Sequence, residues 1–212
     1  MKIRTTKIYA TALFSMLLLG GCTAAGNGVA SQESKSPSAE QSSEGNQTAG
    51  ADFTDFGISG MTAVELVNYL DQQPISERSA ELRASVRPTE VLLSSAQGAE
   101  ESVAIPGDQF YLSFAPYISQ THECYFHSLT TCKGELGGKE IAVKITRTDG
   151  PESTAVLLDE TLTTFDNGFA GVWLPRGITA DLEVTYNGKR ATAPISTVTN
   201  DDATCLTTLQ LK

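Results

Sequence analysis

The chain has 212 residues, 40% of them hydrophobic, with 15 lysines and arginines against 25 aspartates and glutamates and a formal net charge of −10. That acid excess is spread along the chain and forms no tail; it repels nucleic acid and anionic lipid, so neither is expected as an electrostatic partner. Setting aside the N-terminal segments described next leaves about 160 residues, enough for one domain or two small ones.

Residues 1–21 read as a signal peptide. Lys2, Arg4 and Lys7 give a positive start, and Ile8 to Leu19 is a mostly apolar run too short to span a bilayer as a stable helix. It closes on Leu19-Gly20-Gly21-Cys22, small residues before a cysteine that resemble a bacterial lipobox. Cys22 then becomes the lipid-modified first residue of the mature chain, anchored to a membrane without spanning it. The signal carries three of the 15 basic residues and none of the 25 acidic ones, which leaves a mature net charge near −13. No later run is apolar enough to cross a bilayer, so the remainder is expected outside the cytoplasm.

Residues 22–52 read as a flexible linker. The stretch from Thr23 to Ala51 has one branched aliphatic side chain, Val29, and no aromatic, too little apolar surface to offset the entropy of ordering. A chain of that length spans about 30 Å end to end.

Residues 53–98 are expected to be helical. Thr62-Ala63-Val64-Glu65 has the spacing of a capping box, Val64, Val67 and Leu70 recur on one face, and Pro74 stops the helix near Gln73. Ser79 is expected to cap a second short helix carrying Leu82 and Val86 and ending before Pro88, with Val91-Leu92-Leu93 following as a strand. So small a core rarely stands alone, which points to packing on the next domain or to a homodimer.

Residues 99–212 read as β. Phe110, Leu112 and Phe114 alternate with Tyr111 and Ser113, and Ile141, Val143 and Ile145 alternate with Ala142, Lys144 and Thr146. Phe169 to Leu174 is apolar and leads into the turn Pro175-Arg176-Gly177; Leu182, Val184 and Tyr186 lead into the hairpin signal Asn187-Gly188. Cys205, Thr207, Leu209 and Leu211 share one face of a last strand. The expected class is α+β, a small N-terminal helical part followed by an antiparallel, sandwich-like β domain.

Four cysteines less Cys22 leave three, an odd number in an exported chain, where thiols usually pair. One reading is a disulfide plus a buried spare thiol. The other is a metal site: Cys124 and Cys132 bracket a cluster that holds both histidines of the chain, His122 and His127, and Cys205 points inward on its strand. Three thiolates suit Cu(I), and adding His127 makes a Cys₃His set that also suits zinc. On a strand, Cys124 and Cys132 share a face that His127 does not; on a helical turn, Cys124 and His127 do. His122 is the weaker candidate. Met61 alone remains in the mature chain, which excludes a methionine-rich copper site. Trp173 reads as core and Arg176 as a solvated turn residue. No phosphate loop, Ser-His-Asp order or paired-carboxylate motif is visible, and the lack of a C-x-x-C counts against a general thiol oxidoreductase, while a thiol redox protein acting on Cu(II) stays open.

The runs THECYFHSLTTCKGELGGKEI, FDNGFAGVWLPRG and ATCLTTLQLK, with Val67-Asn68-Tyr69-Leu70-Asp71 and RASVRP, closely resemble the CueP family of periplasmic copper-binding proteins over most of residues 60–212. The resemblance implies copper resistance and homeostasis, with copper taken up in the envelope and supplied to an exported superoxide dismutase. Its three cysteine ligands fall on Cys124, Cys132 and Cys205. It also implies an N-terminal helical dimerisation part, a C-terminal β-sandwich, and cysteine-driven reduction of Cu(II). One departure is the lipid-anchored N-terminus, which suits a bacterium without an outer membrane and favours capture at the membrane surface.

Overall fold

The structure, a computed structural model, describes residues 47–212; the signal segment, Cys22 and the linker up to residue 46 lie outside the described residues. The packed chain takes in residues 47–52, which composition had assigned to the linker. Thr48 bridges Thr62, Ala49 is buried, and a 3₁₀ turn runs Ala51–Phe56 with Phe53 inserted in the core.

Helix α1, Ala63–Gln72, starts at the expected capping box: the Thr62 hydroxyl accepts from Glu65 N and the Glu65 carboxylate accepts from Thr62 N. Its buried stripe is Ala63, Leu66, Val67 and Leu70, and it also buries Asp71. Gln73 ends it before Pro74, and a second 3₁₀ turn follows over Ile75–Glu77.

The expected second helix is instead strand β1, Leu82–Val86, paired antiparallel with β2, Glu90–Ser95, which pairs in turn with β3, Glu100–Ala104. Leu82 and Val86 lie four apart, a spacing shared by one helical turn and two strand repeats. Ala84 between them is buried as well, which only the strand period explains. Pairing partners absent from the local sequence decided the outcome: β2 on one side, and on the other Val86 N donating to His127 O at 2.8 Å and Leu129 N donating to Ala84 O at 2.9 Å. The segment 53–98 is therefore one α-helix, two 3₁₀ turns and two strands.

The rest is β as expected. Strand β4, Gln109–Phe114, lies between β7, Ala170–Pro175, and the short β10, Cys205–Leu206, which runs parallel to it. A four-stranded antiparallel sheet has the order β6-β5-β8-β9, with β5 Glu140–Arg147, β6 Val156–Thr163, β8 Thr179–Tyr186 and β9 Lys189–Ser196. Asn187 and Gly188, both at positive φ (50° and 76°), close the β8–β9 hairpin. One core joins the two sheets face to face: Phe110, Leu112 and Phe114 of β4 against Ile141, Val143 and Ile145 of β5 and Leu182 and Val184 of β8.

Strand β4 is buried on both faces, and this positions the site. Its odd-parity residues Tyr111 and Ser113 turn away from the sandwich, and Tyr111 joins a second core built from α1 and β1–β3. Trp173 packs on that core, its ring 4.9 Å from Tyr111 and its Nε1 donating to Asn68. Gly171, opposite Ser113 on β7, leaves room for Tyr111, because a Cβ there would land on the Tyr111 hydroxyl. Gly171→Ala is expected to cost about 1–3 kcal/mol through overpacking, read as a lower thermal midpoint of the metal-free chain.

Candidate metal centre

Cys124, His127 and Cys132 lie in the long connection between β4 and β5, and Cys205 opens β10. Residues 120–127 form neither strand nor helix, so neither of the two expected parities applies. The connection is held from outside itself. Tyr125 O accepts from Thr204 N and Cys205 N, and His127 N donates to the Thr204 hydroxyl at 3.0 Å. Ser128 bridges Ser85 of β1, and the Arg87 guanidinium lies over the Phe126 ring at 4.1 Å. The Glu135 carboxylate accepts from three successive amides, Ile118, Ser119 and Gln120. The Ser119 amide above all stabilises the charged form and holds Glu135 below the usual carboxylate range.

Glycines let two connections touch backbone to backbone. Gly168, at φ 80°, has the Gly134 backbone where a Cβ would come within 2.6 Å, and Gly134 N donates to Asn167 O. This contact brings the FDNGFAG segment under the cysteine cluster, with Phe169 fully buried beside Cys132 and Cys205.

The four expected ligand residues come together. One atom from each of Cys124, His127, Cys132 and Cys205 lies within 4.8 Å of all the others. Cys124 and Cys205 form a disulfide, with Cα atoms 5.7 Å apart and a sequence separation of 81. Cys132 is the free thiol; its Sγ is 3.5 Å from Cys124 Sγ and 3.4 Å from the Ser128 amide nitrogen, which donates to it. His127 Nδ1 is 3.8 Å from Cys205 Sγ. The disulfide-plus-thiol arrangement and the four-donor cluster are thus one set of atoms in the oxidised state. His127, Cys132 and Cys205 are buried, and Cys124 is half-buried. Over Cys124 opens a cleft of about 340 Å³ lined also by Tyr117, His122, Glu123 and Thr208. His122 is exposed at its rim, edge-on to Phe169 at 6.0 Å, and is not one of the four.

The sequence model of the family described as "Periplasmic copper-binding protein CueP" matches residues 65–210. This chain belongs to the CueP family. A crystal structure described as S.CueP is 39% identical, with a TM-score of 0.69, and the match covers 78% of this chain and 100% of that one. Comparison with the curated proteins finds no match. Membership makes the chain one of a family of periplasmic copper-binding proteins, and the cysteine and histidine cluster is compatible with copper. No helix among the described residues is long and apolar enough to cross a membrane.

Behind His127 lies a residue that sequence reading had placed in a CueP-like segment without giving it a task. Asp71, on the last turn of α1, is fully buried and its Oδ1 is 2.9 Å from His127 Nε2. Asn167 Nδ2 donates to Oδ1 at 3.1 Å; the Tyr111 hydroxyl and the Ser113 hydroxyl donate to Oδ2 at 2.7 and 3.3 Å. Burial alone would push His127 down, but the Asp71 charge and hydrogen bond outweigh it and raise the imidazole to about 9. Burial likewise opposes ionisation of Asp71, yet His127, Tyr111 and Asn167 keep it below its ordinary value. Burial and the same carboxylate push Tyr111 well up. The signal that could have singled out Asp71 was a charged residue one helical turn from Val67 on the apolar face.

Proposed function

We propose that the chain holds Cu(I) outside the cytoplasm through Cys124, Cys132 and Cys205, with His127 as a fourth donor, buffering copper or passing it to an exported acceptor such as a superoxide dismutase. The observation that carries this reading is the convergence of three sulfurs and one imidazole nitrogen within 4.8 Å. Soft thiolates favour Cu(I), and a mostly buried set protects it from water. Half-buried Cys124, under the open cleft, is the sulfur through which ligand exchange with an acceptor can begin.

The disulfide favours a linked redox role. With Cys124 and Cys205 reduced, their two thiolates can give one electron each to two Cu(II) ions, forming the Cys124–Cys205 bond and two Cu(I). One Cu(I) can stay with the centre only after the disulfide is reduced again by a thiol donor. In this reading Cys22 carries the lipid anchor, so capture takes place at the membrane surface. Residues 53–98 are assigned to homodimer formation and 99–212 to copper.

The test is metal content with thiol titration on protein purified without oxidation. One Cu(I) per chain, and three titratable thiols beyond Cys22 after copper is removed, are expected. One zinc and no copper uptake would support the zinc reading instead. If anaerobic mixing of the reduced chain with Cu(II) yields neither Cu(I) nor a disulfide, the redox role is removed.

A further inference from the structure

We propose that Asp71 is the positioning residue of the copper centre: it holds His127 with Nε2 protonated and turned away, so that Nδ1 is the nitrogen presented to the three sulfurs. The inference rests on the copper-thiolate reading above and adds to it the nitrogen used and the residue that selects it.

A carboxylate only accepts hydrogen bonds, so every polar neighbour of Asp71 must donate to it. Four do. His127 Nε2 and Asn167 Nδ2 donate to one oxygen, Tyr111 and Ser113 to the other. These donors come from the copper connection, the 164–169 loop and β4, so the position of Asp71 is set by three elements besides its own helix. With Nε2–H committed to Asp71, Nδ1 is the ring nitrogen left for a metal, which displaces the proton Nδ1 carries in the metal-free imidazolium, and it is Nδ1 that faces Cys205 Sγ at 3.8 Å. The far wall is fixed as well: the Phe169 ring lies 4.7 Å from the imidazole and prevents it from swinging.

Arg78 ties the same helix end to the cysteines. Its guanidinium donates to Asp71 O at 3.1 Å and to Cys132 O at 3.3 Å. Helix α1 and the copper connection are thus clamped twice, through a side chain and through backbone carbonyls. A carboxylate–histidine–metal arrangement of this kind orients the ring and makes the ligating nitrogen more basic.

Nitrogen NMR of the His127 ring in the Cu(I)-loaded wild-type chain tests this without any substitution. Nε2 is expected to keep its proton and its coupling, and Nδ1 to carry the copper-induced shift. Copper on Nε2, or no shift at either nitrogen, overturns the inference. The second arm compares Cu(I) affinities by chelator competition in Asp71→Asn, His127→Ala and the double variant, each checked for native circular dichroism. Asp71→Asn is expected to weaken binding about tenfold to hundredfold, and to add nothing in the His127→Ala background, because Asp71 acts through that ring. A folded Asp71→Asn chain with wild-type affinity, or equal losses in both backgrounds, overturns it and leaves the thiolate reading standing. Tight copper binding after the cysteines are replaced by serine overturns the thiolate reading itself, and this inference with it.

Discussion

Cys205→Ser is expected to lower Cu(I) affinity of the reduced chain at least about a hundredfold, about 3 kcal/mol, and Cys124→Ser with Cys205→Ser together to leave no tight site. The reason is geometric. Cys132 and His127 alone supply two donors, fewer than three-coordinate Cu(I) needs, and among the described residues no further cysteine or histidine joins the cluster. The same substitution has a second effect that depends on redox state. In the oxidised chain it opens a covalent loop closed between positions 81 apart in sequence, which constrains the unfolded state by about 4.5 kcal/mol on the chain-entropy estimate. In the reduced, metal-free chain that contribution is absent. Urea unfolding of wild-type and Cys205→Ser proteins, with and without reductant, separates the two. A stability gap that persists undiminished under reducing conditions would show that Cys205 contributes packing, not a cross-link.

Asp71→Ala is expected to destabilise the metal-free chain by about 3–5 kcal/mol, the cost of removing one partner of a buried ion pair. His127 would lose the partner that offsets its burial and give up its proton, and Tyr111, Ser113 and Asn167 would each lose their acceptor. The same unfolding measurement reads it, at one fixed redox state. A loss below about 1 kcal/mol would mean that water or a rearranged side chain satisfies these groups, and that the network is not a keystone of the fold. The Asp71–His127 pair is a contact between α1 and the β4–β5 connection, which links helix packing to the cysteine cluster.

Some of this was readable one residue at a time. The capping box at Thr62 and Glu65, the stop at Pro74, the alternation of β5 and the Asn187-Gly188 hairpin are local signals, and each appears where expected. The alternating burial from Cys205 to Leu211 also holds, although only Cys205–Leu206 is a ladder strand. The 79–87 segment failed for a physical reason. Its apolar spacing fits two periods, and only pairing with β2 and with the 127–129 segment, distant in sequence, selects the extended one. The start of the folded part failed similarly: Ala49 is small and sits between Thr48 and Gly50, yet its amide donates to Met61 O and its side chain is buried.

At the site the sequence by itself singled out the candidate donors. An odd cysteine count, two histidines confined to one short segment and the CueP-like runs named Cys124, Cys132, Cys205 and His127 before any geometry was known. Only the tertiary structure decided how those donors meet. Cys124 pairs with Cys205 across 81 residues, Cys132 stays free beside them, and His127 is turned by Asp71 from a helix 56 residues earlier. Donor identity is a matter of residue chemistry, which one chain position carries alone. Convergence depends on the hydrogen bonds and packing of β4, β1 and the 164–169 loop, and those partners are set by the fold as a whole.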